Sequence, residues 1–244
     1  MLMDVLAIGA HPDDCELFMG GTLAKLADRG YRVAVADLTR GELASRGTAE
    51  TRRKEAEQAA AILGLAEWFS LDLGDGRIGL DPEHRTQVVR LLRDQRPTVV
   101  FAHGPDDRHP DHERASRLAR EACFFANVEG FETGQERFRP AALIEFVGNT
   151  VGSPPTPSFV VPISETYSRK IEALRAYESQ FYNPELDGPD TWISSRAYFE
   201  HIEAWARYWG SLIGENYGEV FCYRGLLAVG DPVAVFKEMG AKGG

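Results

Sequence analysis

The apolar run Val5-Leu6-Ala7-Ile8-Gly9 feeds directly into Ala10-His11-Pro12-Asp13-Asp14-Cys15-Glu16, and this junction constrains the chain more than any other stretch. After it, Gly20-Gly21-Thr22-Leu23-Ala24-Lys25-Leu26-Ala27 reads as the opening of a helix, so the segment is a β-loop-α unit. Open α/β sheets carry their chemistry at the carboxyl ends of strands. An imidazole and two carboxylates stand at that end here. Pro12 fixes one backbone torsion, and the turn it starts aims His11 and an aspartate at one point. The stretch is half of a metal site. Arg108-His109-Pro110-Asp111-His112 is the candidate for the other half.

The elements that follow place the two halves together. A first strand at 4–9 and a helix at 20–29 lead to a buried strand over 31–39 and a polar loop over 40–47. Thr48 is a fair N-cap for a helix whose Ala56, Ala59, Ala60 and Leu63 recur at helical spacing, and Gly64 ends it as a C′ glycine. A strand over 68–71 and a Gly/Asp loop over 72–79 precede Asp81-Pro82-Glu83, which combines an N-cap, a proline at N1 and a first-turn acid. That helix runs to about Gln95. A fourth strand, 98–102, points into the His109/His112 loop, and a helix follows over 111–126. Such alternation predicts an α/β fold with a mostly parallel sheet and right-handed crossovers. Both half-sites then lie on one sheet edge, although about a hundred residues separate them.

The chain divides on this reading into a metal-binding half, 1–130, and a pocket-completing half, 131–244, of one domain. Strands are expected at 142–147 and 158–161, with a Pro-rich turn over 152–157 between them. Ser164 is the expected cap of a helix burying Ile171, Leu174, Tyr177 and Phe181. After a polar stretch, 183–193, the residues Tyr198, Ile202, Trp205, Trp209 and Ile213 line one side of a helix over 195–213, and Glu219–Tyr223 is a last strand. Aromatics at helical spacing read as core or subunit contact before they read as a ligand platform.

Composition narrows the partners. Lys+Arg 27 against Asp+Glu 37 gives a net charge of −10, which offers no electrostatic support for nucleic acid or an anionic membrane. Arg40, Arg46, Arg52, Arg53 and Arg108 nevertheless gather near the proposed site, as a pocket for an anion or polyol would require. Three scattered cysteines (Cys15, Cys123, Cys222) form no disulfide framework, no run approaches the roughly 20 apolar residues of a membrane span, and no signal peptide precedes the first strand. The expected compartment is the cytoplasm.

His11, Asp14 and His112 supply two nitrogens and an oxygen, and three protein ligands with an open position is the arrangement of a catalytic zinc. Iron(II) and manganese accept the same set. Asp13, beside a ligand yet not one, is the candidate base, and His109 the candidate acid, with Asp111 orienting it and favouring its protonated form. His84, His103 and His201 default to ordinary surface or core residues, with His103 notable for ending the fourth strand. A dinucleotide turn needs G-x-G-x-x-G, and two carboxylates would repel a pyrophosphate. The facial triad of non-haem iron oxygenases sits poorly with an alternating α/β pattern. A non-catalytic metal- or sugar-binding domain leaves Asp13, His109 and Asp111 without a task.

The stretches AIGAHPDDCELFMGGTLAKL and DRHPDHERAS resemble the LmbE-like, PIG-L-type zinc de-N-acetylases, which act on N-acetylglucosamine conjugates. DLTRGELASRGTAETRRKEA, AYESQF and the overall length resemble the bacillithiol-pathway branch, which removes acetate from N-acetylglucosaminyl malate. The resemblance is dense to about residue 120 and patchy beyond. It implies a Rossmann-like three-layer α/β fold with helices on both faces of a mostly parallel sheet, and a metal-dependent N-deacetylase with Zn2+ on His11, Asp14 and His112, Asp13 as base, His109 as acid or oxyanion partner and Asp111 behind it. Arg52 and Arg108 match positions near the sugar or its aglycone, and Arg139 and Tyr198 match later pocket positions through a looser alignment. The implied substrate is a small amino-sugar conjugate, with a mycothiol precursor, diacetylchitobiose or an antibiotic intermediate as alternatives to the malate conjugate. Homo-oligomers are implied too, with helix 195–213 as a surface to cover. Cys15 and Phe18-Met19 depart from the family pattern, and so do the segments 148–162 and 183–193.

Overall fold

The computed structural model describes residues 2–148 and 156–240. The strands are β1 (Val5–Gly9), β2 (Val33–Asp37), β3 (Glu67–Ser70), β4 (Val99–His103), β5 (Ala142–Phe146), β6 (Phe159–Pro162) and β7 (Gly218–Tyr223). They form one sheet in the order β3-β2-β1-β4-β5-β7-β6. The first five are parallel, and β7 runs antiparallel to both neighbours. The strand order reverses between β1 and β4, so a crevice opens at their carboxyl ends. β1 and β2 are buried along their whole length, as near-continuous apolar runs in a doubly covered parallel sheet must be.

The helices among the described residues are α1 (Asp14–Asp28), α2 (Ala49–Leu63), α3 (Pro82–Gln95), α4 (Pro110–Ala126), α5 (Tyr167–Ala176), α6 (Arg196–Ser211) and the exposed α7 (Pro232–Gly240). One apolar layer joins α1, α2 and α5 to the sheet through Leu23, Val35, Leu63, Phe101 and Leu174. The other joins α3 and α4 through Leu6, Ile8, Val88, Leu92 and Leu118. This is the expected three-layer α/β fold, and strands from beyond residue 130 extend the same sheet. No helix among the described residues is long and apolar enough to cross a membrane.

The caps read at Thr48, Asp81 and Gly64 hold. Thr48 Oγ1 accepts from Thr51 N, Asp81 Oδ1 accepts from Glu83 N and His84 N, and Gly64 is left-handed at φ 76°. Three expectations need correction. First, α1 begins at Asp14, inside the motif, and breaks at Met19 (φ −144°, ψ 17°), so the helix expected from residue 20 is its second segment. The break frees the N–H groups of Gly21 and Thr22, and both donate to the Glu219 carboxylate, at 3.0 and 2.7 Å. Gly21 also permits close packing, since a Cβ there would meet Ile163 at 2.7 Å.

Second, Thr166 and not Ser164 occupies the α5 N-cap position, because the Ser164 hydroxyl is turned to Glu215, 3.0 Å away. The helix ends at Ala176, so Tyr177 and Phe181 are buried from the turn after it. Third, the sequence reading ends at the β7 strand, whereas a further helix, α7, lies beyond it. Most of the Pro-rich turn 152–157, and the centre of segment 148–162, lie outside the described residues.

Candidate metal and active site

The turn after β1 is built by Asp14. Its Oδ2 accepts from the backbone N–H groups of Ala10 (3.0 Å) and His11 (2.8 Å), which folds the motif back onto the start of α1. Asp13 adopts φ 111°, a left-handed value costly for a side chain with a Cβ, and so diverges from Asp14. From the carboxyl end of β4 comes His103, and from the first turn of α4 come His109, Asp111 and His112. His109 is the α4 N-cap: its Nδ1 accepts from Asp111 N at 3.2 Å, and Pro110 occupies N1.

The expected ligands converge. His11 Nδ1 lies 3.5 Å from Asp14 Oδ2, His112 Nε2 lies 3.2 Å from Asp14 Oδ1, and the two imidazole centroids are 5.5 Å apart. Donor sets with ligand atoms within 4.8 Å of one another are His11/His109/His112, Asp14/His103/His112 and His11/Asp75/Asp111. The expected trio is therefore spread over overlapping sets, joined through His112 and His11. His103 belongs to the cluster, its Nε2 3.1 Å from Asp14 Oδ2, and is not the ordinary core histidine of the sequence reading. Cys15 is not in any of these sets. It is fully buried in the α1/α2/α5 layer, with its thiol pushed well up by burial.

Two carboxylates that sequence reasoning missed hold the far sides of the imidazoles. Asp107 Oδ2 lies 3.0 Å from His112 Nδ1, and Asp75 Oδ1 lies 3.2 Å from His11 Nε2. Asp75 comes from the Gly/Asp loop after β3 and is itself fixed by Leu43 N at 2.9 Å. The available signal was position, since both follow strands whose ends face the site and Asp107 opens the DRHPDHERAS stretch.

Asp111 does not support His109 as expected. Its carboxylate accepts from Gly76 N at 2.6 Å and faces His11 Nε2 at 3.5 Å, leaving only its backbone N–H for His109. Burial and the neighbouring His11 and His112 lower the pKa of His109, so the neutral ring is favoured over the protonated one. With Nδ1 accepting, the proton of that neutral ring sits on Nε2.

The electrostatics separate the two adjacent aspartates. Burial opposes ionisation of Asp14, yet His112 and His103 hold its carboxyl well below the usual range. Burial pushes Asp13 up to about 6, against the pull of Arg52. Arg52, itself buried, places one nitrogen 2.9 Å from Asp13 Oδ2 and on the Pro12 carbonyl, and another 3.0 Å from Gln180 Oε1. The AYESQF stretch is therefore a brace for Arg52.

A cavity of about 300 Å3 opens over Asp13, Arg46, Arg52, His109, His112 and Tyr198. Arg108 stacks on Trp192, its guanidinium carbon 4.2 Å from the ring centroid, and this pair also borders a second cavity of about 300 Å3 lined by Phe18, His201, Ile202 and Trp205. Tyr198, Ile202 and Trp205 of α6 thus wall these cavities, while Trp209 is buried against Val147 and Val220. Arg139 is exposed just before β5, at the amino edge of the parallel strands and so at the end of the sheet opposite the site.

Residues 6–123 match the family model PIG-L, GlcNAc-PI de-N-acetylase. A diacetylchitobiose deacetylase of Thermococcus kodakarensis is 34% identical over 88% of this chain and 80% of that protein. A probable N-acetyl-alpha-D-glucosaminyl L-malate deacetylase 2 of Bacillus anthracis is 26% identical over 72% of this chain and 81% of its own. The crystal structure of a conserved protein from Thermus thermophilus superposes with a TM-score of 0.84 at 39% identity, covering 94% of this chain and 98% of that one. With both motifs on one sheet edge and this breadth of similarity, the chain belongs to the PIG-L family of LmbE-like deacetylases.

Proposed function

We propose that this protein hydrolyses the N-acetyl group of an N-acetylglucosamine conjugate, with N-acetylglucosaminyl malate as the first-choice substrate. The convergence of His11, Asp14 and His112 around Asp14, beside a buried Asp13 that is not part of the trio, carries the reading. Ligands 2.0–2.2 Å from one ion lie roughly 3.3 Å from each other, and the 3.2 and 3.5 Å separations fit that spacing. The buried His11 Nε2 and His112 Nδ1 face carboxylates without a well-aligned hydrogen bond, an arrangement suited to rings oriented from behind for a cation. His11, Asp14 and His112 would hold zinc, or iron(II) or manganese. When bound, such an ion supplies a Lewis acid and acidifies water at its open position.

The chain's own residues supply the proton transfers. Asp13 accepts the proton of the attacking water and returns it to the amine as the C–N bond breaks, a role that suits a carboxyl raised to about 6. Arg52 fixes Asp13 Oδ2 and leaves the other oxygen for this exchange. His109 donates Nε2–H to the developing oxyanion. For a dicarboxylate aglycone, Arg108 and the half-buried Arg46 are the cations at the cavity wall, and charge-assisted hydrogen bonds offset the desolvation of its carboxylates. A second amino-sugar ring is the alternative aglycone, favoured by the Trp192, Tyr198 and Trp205 wall on which a pyranose can stack.

Acetate release across a panel of N-acetylglucosamine conjugates, with and without chelator, tests the proposal. Chelator-sensitive release is expected, fastest for the malate conjugate. Asp13→Asn should keep the metal and lose turnover by orders of magnitude, and His112→Ala should lose both. Stoichiometric metal with no acetate from any conjugate would identify a binding protein instead.

A further inference from the structure

The two cavities of about 300 Å3 meet at one wall, Leu17, Arg108, Trp192 and Tyr198, yet their chemistry differs. The first, over the candidate metal cluster, is polar: Ser45, Arg46, Arg52, Gln180 and Thr191 line it, donors and acceptors suited to sugar hydroxyls. The second is apolar, with Phe18, Ile202, Trp205 and Val220 added to the shared aromatic rings. Lys170 and Glu219 also reach it, but as a closed, buried pair. Lys170 Nζ lies 2.7 Å from Glu219 Oε1, and the N–H groups of Gly21 and Thr22 complete the same carboxylate. An apolar guest therefore takes no hydrogen bond from them.

Phe18 joins this cavity to the candidate chemistry, and it is one of the residues that depart from the family pattern. Its ring lines the second cavity and makes a T-shaped contact with the imidazole of His112, which lines the first, at a centroid distance of 6.3 Å. It also stacks on Phe146 at 5.8 Å, which holds it in place as a partition. An N-acyl amino sugar is divided in the same way. Its amide carbonyl, which must lie beside His112 and Asp13 to react, separates a polar ring from an apolar acyl group. A second sugar ring can stack on Trp192 at the shared wall. Beyond it, that ring would bring hydroxyls to a surface whose Lys170 and Glu219 are already taken up by each other.

We propose that the second cavity receives the acyl chain, and that the protein hydrolyses N-acyl amino sugars whose acyl group is longer than acetyl. This rests on the amide hydrolysis proposed above: water is consumed, the acyl C–N bond breaks, and a carboxylate and the protonated amine leave. At about 300 Å3 the cavity lies at the lower end of ligand pockets and exceeds what an acetyl methyl group fills. Full burial of one methylene corresponds to about fourfold in kcat/KM, the equivalent of about 0.8 kcal/mol.

Amine release from methyl glucosaminide carrying N-acetyl, N-butanoyl or N-hexanoyl groups tests this, beside the hexyl glycoside of N-acetylglucosamine, which carries its chain at the other end. kcat/KM should rise about two- to fourfold per added methylene of the acyl group. Ala206 lines the second cavity and not the first, so Ala206→Phe should leave N-acetyl turnover unchanged and abolish that gain. The second measurement needs no variant and no turnover: hexanoate should bind the parent protein at least about tenfold more tightly than acetate, followed by tryptophan fluorescence, since Trp192 and Trp205 stand on the cavity wall. A kcat/KM that falls with acyl length while acetate is still released overturns the proposal and leaves the deacetylase reading standing. A gain confined to the hexyl glycoside, which gives the cavity to the aglycone, overturns it too, as does a folded Ala206→Phe protein that keeps the chain-length gain. If no conjugate releases amine, the hydrolytic reading fails; tighter hexanoate binding then still supports the cavity assignment, and equal binding removes it.

Discussion

Arg52 stands 2.9 Å from Asp13 with both side chains buried, so the proposed general base carries its counter-charge at close range. Removing that charge should raise the carboxyl further, since Arg52 is what restrains the upward push of burial. Arg52→Gln is expected to lower kcat by about 10- to 100-fold and move the acid limb of the kcat profile to higher pH. Arg52→Lys should restore the limb while recovering only part of the rate, since one ammonium cannot reach Asp13, Pro12 and Gln180 together. A kcat profile unchanged in position would separate Arg52 from the proton transfer.

Asp107 should matter to the metal more than to the fold. Its Oδ2 lies against His112 Nδ1, and its Oδ1 accepts from His109 N at 2.9 Å. Losing a carboxylate behind a ligating histidine costs about 10- to 100-fold in metal affinity. Asp107→Asn should show that loss in competition with a chromophoric chelator while keeping its circular dichroism. The corresponding Asp75→Asn tests the carboxylate behind His11.

Stability of the metal-free protein should fall as the medium becomes alkaline. Burial lowers the pKa of His112, but Asp14 and Asp107 outweigh it and raise the ring to about 9, and Asp111, Asp14 and Asp75 likewise raise His11. A histidine raised on folding contributes stability that is fully present below about 6.5 and lost as pH climbs through the folded value, on the order of 3 kcal/mol for a shift of this size. Metal binding has the opposite sign, because the imidazoles that would hold the ion must be deprotonated. Thermal unfolding of chelator-treated protein should therefore show a midpoint that drops between pH 6.5 and 9, with the increment from added zinc growing over the same window. A metal increment flat in pH would mean that the imidazoles are neutral before the ion arrives.

Much of this site was legible because its candidate ligands come in two compact motifs, each at the end of a parallel strand. Strand order then follows from β-loop-α alternation, and Thr48, Gly64 and Asp81 announced their helix ends by chemistry local to the turn. Features that depend on direction were not legible. Asp111 sits within the motif, but its side chain turns to Gly76 and His11, a choice made by the loop after β3. Asp75 is a single residue with no spacing to mark it, and Asp107 and Gln180, although they lie in the stretches DRHPDHERAS and AYESQF, show their partners His112 and Arg52 only through tertiary contact. Periodicity identified the apolar face of α6 but not what that face looks at, and the answer was a cavity. Arg139 was misplaced because a loose alignment ignores which edge of the sheet a residue precedes.

Glu16 gives the last prediction. It is fully buried beneath the site, neither carboxylate oxygen has a well-formed hydrogen bond, and burial raises it to about 7. A raised carboxyl favours the fold while protonated, so its contribution is lost as pH rises from about 4.5 to about 7. Glu16→Gln removes the ionisation but keeps the shape. The variant should match the parent protein near pH 5 and exceed it at pH 8, by up to about 3 kcal/mol for a shift of this size. Denaturant unfolding of both proteins at the two pH values is the measurement. A variant less stable at pH 8 would show that the Glu16 carboxylate is charged and partnered in the fold, and the upward push of burial would then be offset by a neighbour such as the Tyr177 hydroxyl.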